Sequence, residues 1–574
     1  MINKNIIVIS LVLGGIAAAA QPDKNGELGQ FEVKVSERYE AQVKDARRLS
    51  PKPNFKDTAL SKLPVAYQID PRPLRVDFQP EPLSPARIAR VEVPELYQGM
   101  ARFGAGLYNS WLAEAYYNSG RSSRRSFGFN GRHFSTQGGV QDLLYDDNAM
   151  AQNHLGGYFN RYYRKMTWRT RIEGNWNLVS YYGLPDTSGS PEDAERGQAP
   201  YNWFRTYQIE SGLHEANSKA LGWLKDLSLK YVAFNDNYRS RENDVRLSSQ
   251  WNLPAGERGL QLELNTSFFN TRYDSLYRGA DSSNVYDQGT FQAQIHPYLD
   301  WVNGDWQFRF GLDLYLQSQN DDRLTENRND VYFIPELRAL YQIVPGVLNA
   351  YAEVDGSLRR NTYRELSQHN TFLLPGQNHL PTREIHAELG LSGKFSSNSE
   401  FKLFGGFRDF EGMPLWYRQP DLYSNVSPYG FTALFGNLQS AYAQGELAGV
   451  IADNFSYALM GRIQSWNASG GLRPFHLPYF EGSVDLSYRW GEKIDLEARL
   501  QLLGPRQAFD QTENPALPAI LRGYADLFFK AEYLYNSRIS AFLSLSNLLN
   551  AQYDLYLGYP AQNVNLLMGL GYRF

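Results

Sequence analysis

Asn563-Val-Asn-Leu-Leu-Met-Gly-Leu-Gly-Tyr-Arg-Phe574 is the stretch that decides how this chain is read. Val564, Leu566, Met568, Leu570, Tyr572 and Phe574 are apolar or aromatic, while Asn565, Gly569, Gly571 and Arg573 are small or polar. Successive side chains of a strand point to opposite faces, so this period of two gives one apolar and one polar face. A last strand of this kind, ending on an aromatic, is expected to close a membrane-spanning cylinder. Tyr572 and Phe574 are accordingly the candidate signal for the barrel-assembly machinery.

The same pattern recurs upstream. In Asp305–Gln317 the set Trp306, Phe308, Phe310, Leu312, Leu314 and Leu316 alternates with Gln307, Arg309, Gly311, Asp313, Tyr315 and Gln317. Thr382–Phe395 sets Ile385, Ala387, Leu389 and Leu391 against Glu384, His386, Glu388, Gly390 and Ser392. Lys493–Leu502 sets Ile494, Leu496, Ala498, Leu500 and Leu502 against Asp495, Glu497, Arg499 and Gln501. Hydrocarbon on one face and charge on the other suit a lipid exterior and a wet lumen, which makes Arg309, Asp313, Glu384, Glu388, Asp495, Glu497 and Arg499 candidate luminal charges.

Segments of this kind number about 22 between Tyr97 and Phe574. Read back from Phe574, the connections alternate between short and long. Tyr535–Arg538, Gly491–Lys493, Ala452–Asn454, Ser396–Ser399, Val344–Gly346, Asn303–Asp305 and Pro254–Arg258 are short; Gly504–Pro518, Trp466–Tyr479, Glu411–Leu438, Arg360–Arg383, Gln319–Asp330 and Arg272–Gln288 are long. Tight periplasmic turns and long external loops give this asymmetry, and an even strand number puts both termini in the periplasm. A β-propeller is the soluble alternative, but no blade-length repeat is present. The expected class is all-β: a transmembrane antiparallel β-barrel over residues 96–574, in the cell outer membrane and in contact with its lipid.

The N-terminus reads as a secretory signal over residues 1–20: Lys4, the apolar run Ile6–Ile16, then Ala17–Ala20. That run is short for an anchor helix. After it no apolar stretch is long enough for a transmembrane helix, so a spanning chain must be a closed barrel, whose backbone hydrogen bonds are all internal. Residues 21–95 carry Pro51, Pro53, Pro64, Pro71, Pro73, Pro80, Pro82, Pro85 and Pro94, too densely spaced for a helix or central strand. Phe55, Leu63, Val65, Tyr67, Ile69, Val76 and Phe78 give this tether apolar residues to dock with, against the alternative of a disordered linker. A net charge of −4 gives no sign of nucleic-acid binding, and the absence of cysteine excludes disulfides, thiolate metal sites and an N-terminal lipidated cysteine.

Ser544-Leu-Ser-Asn-Leu-Leu-Asn550, Ala551-Gln-Tyr-Asp554, Gly558-Tyr-Pro560 and Leu570-Gly-Tyr-Arg-Phe574 together resemble the closing strands of TonB-dependent receptors. The resemblance implies a 22-stranded barrel that imports siderophores, cobalamin, glycans or peptides. It also implies a globular N-terminal plug, whereas residues 21–95 are too short for one and carry no plug motif. Asn118-Ser-Gly-Arg121 through His133-Phe-Ser135 is similar to plugless barrels of this type. The family couples to energy through a short strand that adds to a periplasmic partner's sheet. Glu32, Val33, Lys34 and Val35 are the candidate for it, with TonB or another periplasmic or outer-membrane protein as partner.

Other chemistry is sparse. None of the eight histidines pairs at a helical metal spacing, though His369 and His379 share one predicted loop. His133, Ser135 and Asp142 offer the residue types of a hydrolytic triad without its geometry. Asp146–Asp147, Asp321–Asp322 and Asn235-Asp-Asn237 are acidic clusters without an EF-hand spacing. Arg121, Arg124 and Arg125 belong to a periplasmic turn, where solvation is the default. Trp416, Tyr417, Tyr423, Tyr429 and Phe431 crowd the predicted loop Glu411–Leu438, as a lid, a stacking platform or a docking face. No catalytic group, metal site or cofactor is expected. The leading expectation is a transporter or channel for a solute, with a reduced plug or none. The alternative is a non-transporting scaffold subunit of an assembly, export or surface-receptor complex.

Overall fold

The computed structural model describes residues 97–140, 148–183, 199–216, 222–254, 259–273, 286–322, 327–377, 379–418, 430–509 and 518–574. The signal and tether, Glu32–Val35, Asp142, Asp146, Asp147, Tyr423 and Tyr429 lie outside the described residues.

The wall begins with β1 (Gly99–Gly106), β2 (Ser110–Asn118), β3 (Arg125–Thr136), β4 (Met150–Tyr162), β5 (Met166–Ser180), β6 (Tyr201–Glu215) and β7 (Leu224–Asn235). It continues with β8 (Arg241–Leu253), β9 (Leu260–Tyr273), β10 (Tyr286–Asn303), β11 (Trp306–Asp321), β12 (Arg328–Val344) and β13 (Leu348–Arg359). After helix α1 (Tyr363–His369) come β14 (Thr382–Ser396), β15 (Ser399–Arg418), β16 (Phe431–Ile451), β17 (Phe455–Ala468), β18 (Phe480–Trp490) and β19 (Ile494–Leu503). Two short ribbons, β20 (Arg506–Ala508) with β21 (Ala519–Leu521) and β24 (Asp554–Tyr556) with β25 (Tyr559–Pro560), flank β22 (Tyr524–Leu534) and β23 (Ile539–Ser546). β26 (Asn565–Arg573) pairs with both β23 and β1, so the 22 wall strands close into an antiparallel barrel. Closure gives every wall strand a partner on both sides, the condition for a sheet in lipid. Among the described residues no helix is long and apolar enough to cross a membrane.

The seam at Asn563–Phe574 is tight. Phe574 exchanges backbone hydrogen bonds with Gly99, and a Cβ on Gly569 would lie 2.2 Å from the carbonyl oxygen of Phe103. Glycine is required where two backbones approach this closely. Tyr572 and Phe574 are half exposed on the outer face. On β11, Trp306, Phe310, Leu312 and Leu316 are 39–44 % exposed while Asp313, Tyr315 and Gln317 are buried, so the apolar set faces out and the polar set faces the lumen.

Short turns such as Gly304–Asp305 and residues 397–398 share one rim with both ends of the wall; the excursions 181–200, 360–381, 504–523 and 547–564 share the other. The alternation is less strict than expected at the start of the wall. Leu107–Asn109 and Asp236–Ser240 are short turns on the long-loop rim. Two predicted loops are also shorter than expected, because β15 runs on to Arg418, β16 starts at Phe431 and β12 starts at Arg328. Trp416, Tyr417 and Phe431 are therefore strand residues, not loop residues, paired across β15 and β16 as Trp416↔Ala433, Tyr417↔Thr432 and Arg418↔Phe431.

Candidate functional site

The feature that shapes the lumen is the hairpin β13–β14. Pairing of β13 with β12 stops at Leu337↔Val354, whereas pairing with β14 continues to Arg359↔Thr382. Above Val354 the hairpin parts from β12 and overlies its inner face, while β14 stays paired with β15 as far as Arg383↔Glu411, so that Leu358 and Ile385 pack on Ile334 and Tyr315 of the neighbouring inner face. Gly356 makes this approach possible: a Cβ there would lie 2.2 Å from the Glu384 carbonyl oxygen and 2.8 Å from Ile334 Cγ2.

The connection 360–381 is thereby aimed across the lumen. Its helix α1 starts in a capping box. The Glu365 amide donates to Thr362 Oγ1 at 3.2 Å, and the Thr362 amide reaches Glu365 Oε2 at 3.5 Å. Two orphan donors of a short helix are satisfied in this way. The Thr362-x-x-Glu365 spacing is the sequence signal for it.

Helix α1 docks on the inner face of β8 through an ion network. Asp244, with a fully buried side chain, accepts from Arg246 Nε at 2.8 Å and Arg360 Nη1 at 3.0 Å. Glu365 accepts from Arg246, Arg360 and Arg364 at 3.0–3.1 Å. Glu242, also buried, accepts the Arg364 amide at 3.2 Å and faces its guanidinium at 3.5 Å. Three carboxylates balance three guanidiniums, so this buried cluster carries no net charge and depends on every member being present.

Apolar packing completes the lid. Tyr363 is fully buried between Phe234 and Tyr273, at centroid distances of 5.7 and 5.5 Å. Farther along, Phe372 stacks on Tyr559 at 3.7 Å, and Tyr559 also meets Tyr182 at 5.2 Å and Phe431 at 5.9 Å. Leu374 and Phe431 are tied by backbone bonds (Leu374 N to Phe431 O, Phe431 N to Phe372 O, both 2.9 Å), and the Tyr556 hydroxyl donates to the His369 carbonyl at 2.6 Å. Connections after β5, β13 and β23 thus share one aromatic core with the ends of β15 and β16 at the long-loop rim. His476 sits at its edge between Phe431 and Tyr556; burial, then the Arg506 charge, push its pKa to about 3, so the ring is neutral.

Asp236 carries the lid's pH response. It lies in the turn after β7 and accepts the Tyr363 hydroxyl at 2.9 Å and the Ser240 amide at 2.8 Å. Burial raises its pKa from 3.8 to about 6, against the lowering by those hydrogen bonds. A carboxyl whose folded pKa lies above its unfolded value binds its proton more tightly when the lid is docked. Its stabilisation is therefore full below about pH 4 and lost as pH rises through about 6, on the order of 2–3 kcal/mol in total. Hydrogen exchange at the Leu366 and Asn370 amides of helix α1 is expected to speed up across that interval, once corrected for intrinsic rates. In Asp236→Asn the step should vanish.

The candidate luminal charges face inward in three separate patches. Arg309 pairs with Asp300 at 2.7 Å, and Asp313 accepts from Gln294 at 2.6 Å beside His296. Glu388 accepts from the Tyr351 and Tyr442 hydroxyls, and Glu384 has no ion-pair partner among the described residues. Asp495 pairs with Arg489, Glu497 with Lys530 and Arg499 with Asp485. Most of these charges are thus neutralised locally. Trp416 and Phe431 belong to the aromatic core, and Tyr417 packs on Phe509 at 5.4 Å.

Other candidates are not assembled. His133 contacts Ser135 Oγ at 3.2 Å, but its other nitrogen meets the amide of Asn153 at 2.7 Å, on the outer face. His379 bonds the Tyr273 hydroxyl at 2.7 Å, while His369 ends helix α1, so the two are engaged separately. The acidic cluster at Asn235–Asn237 anchors the lid through Asp236.

No protein-family model matches the sequence, and no curated protein does. Solved structures match the fold. The FrpB iron transporter from Neisseria meningitidis (F3-3 variant) aligns over 84% of this chain and 82% of its own, with TM-score 0.63 and 10% identity. The copper transporter OprC aligns over the same shares, with TM-score 0.61 and 12% identity. The ferripyoverdine receptor of the outer membrane of Pseudomonas aeruginosa covers 84% of this chain and 72% of its own, with TM-score 0.58 and 13% identity. At these identities the likeness is one of fold, and the described chain has the 22-stranded barrel fold of TonB-dependent receptors.

Proposed function

We propose that this chain is an outer-membrane barrel that passes a solute through its lumen, gated at the external rim by the lid 360–381. The observation that carries this reading is the inturned β13–β14 hairpin. A helix hung from one hairpin and held to the wall at β8, five strands away, by a neutral ion cluster has a defined hinge and a defined latch. The fold neighbours, an iron transporter, a copper transporter and a ferripyoverdine receptor, support solute uptake. On this reading the short-turn rim and both termini are periplasmic. Residues 1–20 are removed as a signal, and residues 21–95 form a periplasmic or luminal segment in which Glu32–Val35 meets TonB or a similar partner. The luminal charge patches would tune selectivity, and Tyr572 and Phe574 would be read during barrel assembly.

Single-channel conductance in a planar bilayer, with and without residues 21–95, tests this. A barrel that stays silent or flickers with and without residues 21–95, and opens when the lid is released, supports transport gated by the lid; one that becomes a steady pore on deletion alone makes the segment a reduced plug and the lid no gate. If both forms stay closed and releasing the lid does not open them, a second reading is favoured, a scaffold subunit of a surface complex, for which the packed aromatic core is the supporting observation. Stoichiometric co-purification of a partner would then be expected. A full-length barrel open from the start would mean a passive channel.

A further inference from the structure

Beneath helix α1 lies a cavity of about 450 Å³, walled on one side by the inner faces of β8 to β11 and on the other by the end of β13 and the helix itself. Its volume falls within the roughly 300–1,000 Å³ of small-molecule sites. Serine, asparagine, glutamine and tyrosine side chains dominate the lining, a hydrogen-bonding surface with one aliphatic side chain, Leu358. Two groups in it are unmatched. Gln292 is 7 % exposed and its Nε2 has no hydrogen-bond partner among the described residues. Arg359 lines the same space and has no ion-pair partner there, unlike Arg246 and Arg360, which Asp244 and Glu365 neutralise. His369, on the same wall, adds no competing cation: burial, then the Arg359 charge, push its pKa down.

A lone guanidinium opposite a wall of amides and hydroxyls matches a molecule with one carboxylate and several hydroxyls. We propose that this cavity binds a compact hydroxylated carboxylate such as a uronic acid sugar, with Arg359 taking the carboxylate and Gln292 a hydroxyl. The unsatisfied amide supports the assignment, because a buried donor left without a partner costs stability that a bound acceptor recovers. The assignment deepens the transport reading by naming a ligand class. Binding to the purified barrel is measured without transport, so either can fail alone.

The test is isothermal titration of the full-length protein in detergent with galacturonate and digalacturonate. Galactose serves as the neutral counterpart and inorganic phosphate as the bare anion. The galacturonates should bind, and galactose should bind at least about tenfold more weakly, since it lacks the charge-assisted bond. Arg359→Ala should reduce galacturonate affinity by about tenfold or more and leave galactose unchanged, whereas Gln292→Leu should weaken both sugars. Heat-modifiable migration on gels verifies that each variant is a folded barrel. Phosphate binding as tight as galacturonate would reduce the site to an unselective anion contact and overturn the proposal. So would galacturonate binding that ignores both substitutions. Absence of binding in the wild type and in Arg364→Ala, where the lid is loosened, would refute it outright.

Discussion

Asp244→Ala is expected to unlatch the lid and turn a closed mouth into an open one. The Asp244 side chain is fully buried, and it is the acceptor shared by Arg246 and Arg360. Its removal leaves three guanidiniums facing two carboxylates in a site where only Arg246 and Glu365 reach solvent appreciably. Breaking a buried ion pair from one side costs about 3–5 kcal/mol, because the remaining charge is uncompensated. The wall should be unaffected, since the backbone of β8 stays paired with β7 and β9. In planar bilayers, with residues 21–95 deleted, the variant should conduct steadily where the parent is silent or flickers. Asp244→Ala combined with Arg360→Ala should recover part of the closure, because the orphaned charge is removed as well, and the shortfall from additivity measures the coupling. Unchanged conductance in Asp244→Ala would mean that the ion cluster does not hold the lid.

Tyr559→Ala should loosen the same lid from its apolar side. Tyr559 is fully buried, stacked on Phe372, and in contact with Tyr182 and Phe431. Truncating a buried aromatic costs about 3–5 kcal/mol through lost transfer energy and the cavity left behind. The connection after β23 then loses its grip on residues 370–374, and the Leu374 and Phe431 amides, which bond residues 372–374 to the start of β16 beside that contact, should exchange much faster with solvent. Tyr559→Phe keeps the stack and gives up only the phenol contact with the Gly183 backbone, about 1 kcal/mol. Equal effects of the two substitutions would assign the grip to that hydrogen bond instead of the stack. Together the Asp244 and Tyr559 variants separate the electrostatic latch from the aromatic one.

The difference between what was legible and what was not follows the range of the interactions. Trp306 to Gln317, Thr382 to Phe395 and Ile494 to Leu502 declared their strands, because lipid on one side and water on the other impose a period of two on every wall segment. The ends of strands were less visible. Trp416, Tyr417 and Phe431 looked like loop residues because Pro414 and a bulge between Phe410 and Met413 interrupt the alternation, although pairing continues past both. Asp236 stands out in the sequence only as part of an acidic cluster, and its partner, Tyr363, lies 127 residues away. Glu242, Asp244 and Arg246 carry no local mark beyond ordinary inward-facing positions. Thr362 and Glu365 do carry one, the capping-box spacing, inside a stretch whose length and composition are those of a loop.

The sequence by itself determined the barrel: its strands, their inner and outer faces, their number and the rim on which the long connections lie. Each is set within one strand or one turn by the solvent on either side. Only the tertiary structure decided that the connection 360–381 turns into the lumen and what holds it there. That outcome depends on β13 leaving β12 above Val354 and on contacts such as Arg360 with Asp244, 116 residues apart, and Tyr556 with His369, 187 apart. Such partners are chosen by where closure of the cylinder places the strands, and no local periodicity encodes that placement.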